Sequence, residues 1–167
     1  NLANSSVVTI GGNTTLDTET GNDNAGGDIT FAAAGTINGA HTLSLNTATT
    51  NSTSNSGSVT LGTVGNSTAP TSLTIDTTGG SSGYNDLTHL YGGVKVAGNI
   101  TFTTDVVLEA NLAIDTSASG GNISFARTLG SDSTSTTRDL TLTSGAGDIT
   151  FTGALGAHGQ GIPLETL

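Results

Sequence analysis

Gly98-Asn99-Ile100-Thr101-Phe102 and Gly121-Asn122-Ile123-Ser124-Phe125 are two copies of one short phrase. A glycine and a small polar residue precede an apolar–hydroxyl–apolar triplet. The phrase returns as Gly27-Asp28-Ile29-Thr30-Phe31, Gly57-Ser58-Val59-Thr60-Leu61 and Gly147-Asp148-Ile149-Thr150-Phe151. Alternation at period two belongs to a half-buried strand. It predicts Ile29, Phe31, Val59, Leu61, Ile100, Phe102, Ile123, Phe125, Ile149 and Phe151 as the structural core. Thr30, Thr60, Thr101, Ser124 and Thr150 should then face solvent. A second phrase follows each of the first four: Leu43-Ser44-Leu45, Leu73-Thr74-Ile75, Leu112-Ala113-Ile114 and Leu140-Thr141-Leu142. Clusters of Gly, Asn and Ser separate the phrases, as turns do.

Such strands bury only a few aliphatic side chains each and gain a continuous core by stacking at about 4.8 Å. Parallel sheets covered by helices read as unbroken apolar runs. Here the outward positions are Thr and Ser, which suit a solvated strand face, and no stretch has helical periodicity of useful length. The reading is an all-β parallel β-solenoid, a right-handed β-helix of imperfect coils. The alternative is an antiparallel β-sandwich, whose short strands have similar spacing.

A longer period overlies the short one. Leu16-Asp17-Thr18 returns as Ile114-Asp115-Thr116. Gly62-Thr63-Val64-Gly65, with Pro70 and Leu73, returns as Gly153-Ala154-Leu155-Gly156, with Pro163 and Leu167. The offset is about 90 to 98 residues. Residues 1–167 therefore read as a single segment of about 1.7 repeats, approximately 1–97 and 98–167, with 84–97 extra in the first copy. The abrupt start and stop predict a piece of a longer chain, or subunits that join end to end.

Composition narrows the function. Net charge is −10, with Lys95, Arg127 and Arg138 the only cations besides histidine. Nucleic acid, anionic lipid and acidic polysaccharide are disfavoured as partners. There is no cysteine for a disulfide framework and no apolar run long enough to span a membrane. Charged residues are only 10% of the chain, and Trp and Met are absent. Strands with a narrow aliphatic core fit that inventory better than a two-layer globule does.

The strand phrases resemble the β-strand repeats of large bacterial surface exoproteins of the filamentous haemagglutinin and autotransporter type. The likeness is clearest from Leu112 to Phe125 and from Leu140 to Gly153. It implies a secreted, surface-attached, β-helical protein acting as adhesin, biofilm component or stalk, and it carries over no catalytic or binding residue. The expected role is a non-catalytic structural segment of an extracellular or bacterial cell-surface fibre. Its partners would be further copies or repeats of itself, end to end, with a host or surface glycan or protein as a further class. The first alternative is an adhesin domain that binds a ligand through inserted loops at residues 47–56 and 79–90. The lower alternative is an ice-binding solenoid, suggested by the Thr-x-Thr triplets at 101–103, 141–143 and 150–152.

Candidate sites are few. Asp23, Asp28, Asp132 and Asp148, with Asp139, lie near turns and carry the oxygen that calcium prefers. Turn capping uses the same residues, and the Gly-x-Gly-x-Asp calcium repeat is absent. Asp17, Asp76 and Asp115 each follow a strand and would form an acidic row if stacked. His41, His89 and His158 lack a second ligand at metal spacing. Asp105 and Glu109 are near each other, but only Tyr84 and Tyr91 could offer a sugar platform, so no catalytic residue and no cofactor other than calcium is expected.

Overall fold

The computed structural model describes residues 6–21, 24–51, 53–79, 87–133 and 136–156. Within them are seventeen short strands and no helix. Every strand pairing is parallel, and consecutive strands lie in different sheets. The first sheet holds β1 (Val7–Thr9), β4 (Thr36–Asn38), β7 (Thr63–Val64), β10 (Val94–Lys95), β13 (Leu112–Asp115) and β16 (Leu140–Thr143). The second holds β2 (Thr14–Asp17), β5 (Thr42–Asn46), β8 (Ser72–Asp76), β11 (Ile100–Phe102), β14 (Ile123–Phe125) and β17 (Ile149–Phe151). The third holds β3 (Ile29–Thr30), β6 (Val59–Leu61), β9 (Leu87–Leu90), β12 (Asp105–Leu108) and β15 (Leu129–Ser131). The chain is thus a three-sided parallel β-solenoid of about 5 turns. One coil takes from 18 residues, Thr88 to Val106, up to 30, Val64 to Val94.

The alternation sorts side chains into and out of one narrow core. Ile29, Phe31, Val59, Leu61, Ile100, Phe102, Ile123 and Phe125 are buried. Phe102, Phe125 and Phe151 stack with ring centroids 5.0 and 5.2 Å apart. Ile149 departs from the expected core set: it is 38% exposed, and Phe151 is only half-buried. Both lie on β17, the outermost strand of the second sheet among the described residues, so one side of each lacks a neighbouring strand.

The short phrases are not equivalent in space. The copies at 27–31 and 57–61 lie in the third sheet, whereas those at 98–102, 121–125 and 147–151 lie in the second. The second phrase moves in the same way, from the second sheet (β5, β8) to the first (β13, β16). Between the two settings come β9 and β10, from the extra segment at 84–97, which fill one strand position in the third sheet and one in the first. Each later phrase is therefore carried two strand positions further along the chain, which on a triangle sets it one side back. All three sides ask for the same in–out–in pattern, so a phrase docks equally well on any of them.

Side-chain clasps close the corners. Asp17, Asn46, Asp76 and Asp115 each accept the backbone N–H of the residue two positions on, an Asx turn. A threonine follows each of them. The hydroxyls of Thr18 and Thr47 donate across their loops to the carbonyls of Gly27 and Gly57, at 2.8 and 2.6 Å, and Thr116 does the same to Gly121. The clasp ties the loop ends together and leaves its length free. Thr77 differs: its hydroxyl bonds Thr104 of the next coil at 2.5 Å, and the loop it opens leads into β9 without the glycine phrase.

Two buried hydroxyls, Ser56 Oγ and Thr88 Oγ1, have no such partner among the described residues. Thr88 is fully buried, aligned with Val59 and Val106, and its Oγ1 makes no hydrogen bond. An unsatisfied buried hydroxyl costs about 1–3 kcal/mol. Thr88→Val should therefore raise unfolding free energy by about 1 kcal/mol, measured by urea denaturation. A loss of stability would mean that the hydroxyl is satisfied in solution.

Candidate functional site

Charged side chains of opposite sign meet on the outer side of the third sheet. The register that pairs Leu90 with Leu108 and Leu108 with Ser131 carries Tyr91, Glu109 and Asp132 onto three successive coils. His89, two residues before Tyr91, points to the same side. Its Nδ1 lies 2.6 Å from Glu109 Oε1. Arg138 closes the group with a bidentate pair, Nε and Nη2 donating to the two Asp132 carboxylate oxygens at 2.8 and 2.9 Å. Nearby, Asp105 Oδ1 accepts from the Thr128 N–H at 2.8 Å and lies 3.8 Å from Arg127 Nε.

The electrostatics follow from these contacts. The Arg138 hydrogen bond, aided by its charge and opposed by partial burial, holds the Asp132 carboxyl below the usual carboxylate range. Burial, then the charges of Glu109 and Asp132, push the Tyr91 phenol above its ordinary value, so it stays a hydrogen-bond donor. General acid catalysis needs a carboxyl shifted upward, and Asp132 is shifted the other way. What the arrangement does is clamp coils: His89–Glu109 ties β9 to the end of β12, and Arg138–Asp132 fastens the loop after β15.

Acid should loosen part of this clamp. Asp132 is depressed by Arg138, and Asp115 is depressed chiefly by hydrogen bonds from Ser117. A depressed folded-state pKa gives stability that is whole above the unfolded value of about 4 and is lost as pH falls through the folded value. Melting temperature should fall as pH drops below about 4, and Asp132→Asn should flatten that acid limb. Solvent screening limits each contribution to about 1 kcal/mol or less. A steeper acid limb in Asp132→Asn would reverse the assignment.

The other sequence candidates serve the coil-to-coil ladder. Asp28 Oδ1 accepts the Ser58 N–H at 2.8 Å. Asn99 accepts the N–H of Asn122, and Asn122 that of Asp148. Asn111 and Asp139 bond each other through backbone and side chain. Asp28, Asp132 and Asp148 thus stand apart in ladders and an ion pair, and no group of three acidic or histidine ligands forms among the described residues. Asp23 and His158 lie outside the described residues. The acidic row divides: Asp17, Asn46 and Asp76 align in the second sheet, whereas Asp115 sits in the first, 3.8 Å from Lys95. That pair borders a depression of about 250 Å³ also lined by Gly93 and Ala113.

The proposed binding loops need redrawing. Residues 87–90 of the expected 79–90 loop are β9, with Leu87, Thr88 and Leu90 buried. Residues 80–86 lie outside the described residues. In the loop at 47–56, Thr47, Ala48, Thr49 and Ser56 are buried against the solenoid.

The hydroxyl rows follow a rule that the triplets concealed. Thr101 and Thr150 belong to one column on the outer side of the second sheet, completed by Thr15, Ser44, Thr74 and Ser124. Thr141 and Thr143 lie in the first sheet instead. No family profile, curated protein or solved structure matches this chain.

Proposed function

We propose that this chain is a non-catalytic structural segment of a secreted or cell-surface fibre, serving as stalk or filament building block. One observation carries the reading. The core and the side-chain ladders run from coil to coil along the stack, and Asn46, Asp28, Asn99 and Asn122 bond neighbouring coils. A fold that connects each coil only to its neighbours transmits length and stiffness. The resemblance of the strand phrases to exoprotein repeats favours the same role at the bacterial surface. Val7, Leu16, Ile149 and Leu155 at the two outer coils of the described stack are exposed apolar groups suited to further coils, of this chain or of another copy.

The test is to display the chain on a bacterial cell between an anchor and an inert tip, and to compare it with a form lacking 80–86 but keeping β9. For a stalk, tip height should grow in proportion when the segment is duplicated, and surface attachment should be the same with and without 80–86. Loss of attachment in a deletion that still melts cooperatively would favour the adhesin alternative. A duplicated segment that gives no added height would end the stalk reading.

A further inference from the structure

The outer side of the second sheet carries a straight column of six hydroxyls: Thr15, Ser44, Thr74, Thr101, Ser124 and Thr150. None of the six makes a hydrogen bond within the described residues. On either side several neighbouring polar groups are pinned. The Asn122 N–H donates to Asn99 Oδ1 at 2.9 Å, Asn46 Nδ2 to Asp17 Oδ2 at 3.1 Å, and Thr103 Oγ1 to Asp76 Oδ1 at 2.9 Å. The column is therefore open to a ligand, while part of each flank is held by contacts that run between coils.

We propose that this side of the solenoid binds the surface of ice. Parallel in-register pairing sets the hydroxyls about 4.8 Å apart down the column, and alternate outward residues along a strand stand about 6.6 Å apart. These repeats are comparable to the oxygen spacings on a prism face of ice. The surface has no lysine, no arginine and no aromatic ring. Polyanions have nothing cationic to meet there, and sugar rings have nothing to stack on. A lattice of water oxygens needs neither, since each oxygen donates and accepts. Held flanks mean that little side-chain freedom is lost when the lattice docks. The column is continuous because each strand of the sheet, from either phrase, brings Thr or Ser to the same outward position.

Slow ice growth from a dilute solution of the chain tests this. The intact chain should enter the ice fraction and slow recrystallisation. The double change Thr74→Tyr and Thr101→Tyr sets bulky but strand-compatible side chains in mid-column, and it should lower ice partition about tenfold or more. The single change Ser44→Tyr supplies a second reading if the double variant does not melt like the parent. Thr141→Tyr, on the exposed side of the first sheet, should partition like the parent. Exclusion of the intact chain from ice, equal loss in Thr141→Tyr, or capture by crystalline cellulose without partition into ice would each overturn the proposal.

Discussion

Phe125→Ala should cost about 3–5 kcal/mol of folding stability, read as a lower midpoint in denaturant with an unchanged slope. Phe125 is fully buried. Its ring lies between Phe102 and Phe151, near-parallel to both at 10° and 4°. Removing it deletes two stacked contacts and leaves a void in the narrow core that the three sheets share. The coils above and below are fixed by backbone pairing, with Phe102, Phe125 and Phe151 in register, so they cannot close the gap. Phe151→Ala should cost clearly less, because that ring is half-buried. Equal losses at the two sites would mean that burial along the stack does not grade as described.

Gly121→Ala should be the most damaging small change, costing about 3 kcal/mol. A Cβ at this position would sit 2.2 Å from the backbone carbon and oxygen of Gly98 in the adjacent coil. Backbone at the coil spacing cannot step aside as a side-chain tip can. Gly57 has the same relation to Gly27, where a Cβ would fall 2.1 Å from the carbonyl oxygen. Gly11→Ala is the control: nothing lies within 4 Å of a Cβ there, and its effect should stay within about 0.5 kcal/mol. Thermal melts of Gly121→Ala, Gly57→Ala and Gly11→Ala make the comparison. A Gly121→Ala protein as stable as Gly11→Ala would mean that the coils are not packed backbone to backbone at this corner.

The glycine of the phrase was legible in the sequence as punctuation, yet its physical task was not. It reads as a turn residue in isolation. Only the neighbouring coil explains why the position excludes a methyl group. The small polar residue after it has the same history. Asp28 and Asp148 looked like turn caps or calcium ligands. Asp28 accepts an N–H from the next coil, and Asp148 gives its own N–H to Asn122 of the coil before. The clamp of His89, Glu109, Asp132 and Arg138 left no local signal, because His89 and Glu109 are 20 residues apart and meet only through the coil repeat, while Arg138 returns to Asp132 across a loop of 6.

By itself the sequence determined that the chain is built of strands, which side chains of each triplet point inward, and where the corners fall. Those properties depend on alternation, strand propensity and turn chemistry, all of which act over a few residues. The tertiary structure alone decided which of three sides each phrase occupies. Ile29 and Ile123 belong to the same phrase but to different sheets, because β9 and β10 occupy two strand positions before the phrase resumes. It also decided that Asp115 would leave the row of Asp17 and Asp76, and that Thr15, Ser44 and Thr101 would share one column. The physical reason is that a triplet encodes in and out, while the number of residues between triplets, summed around the coil, encodes which side it lands on.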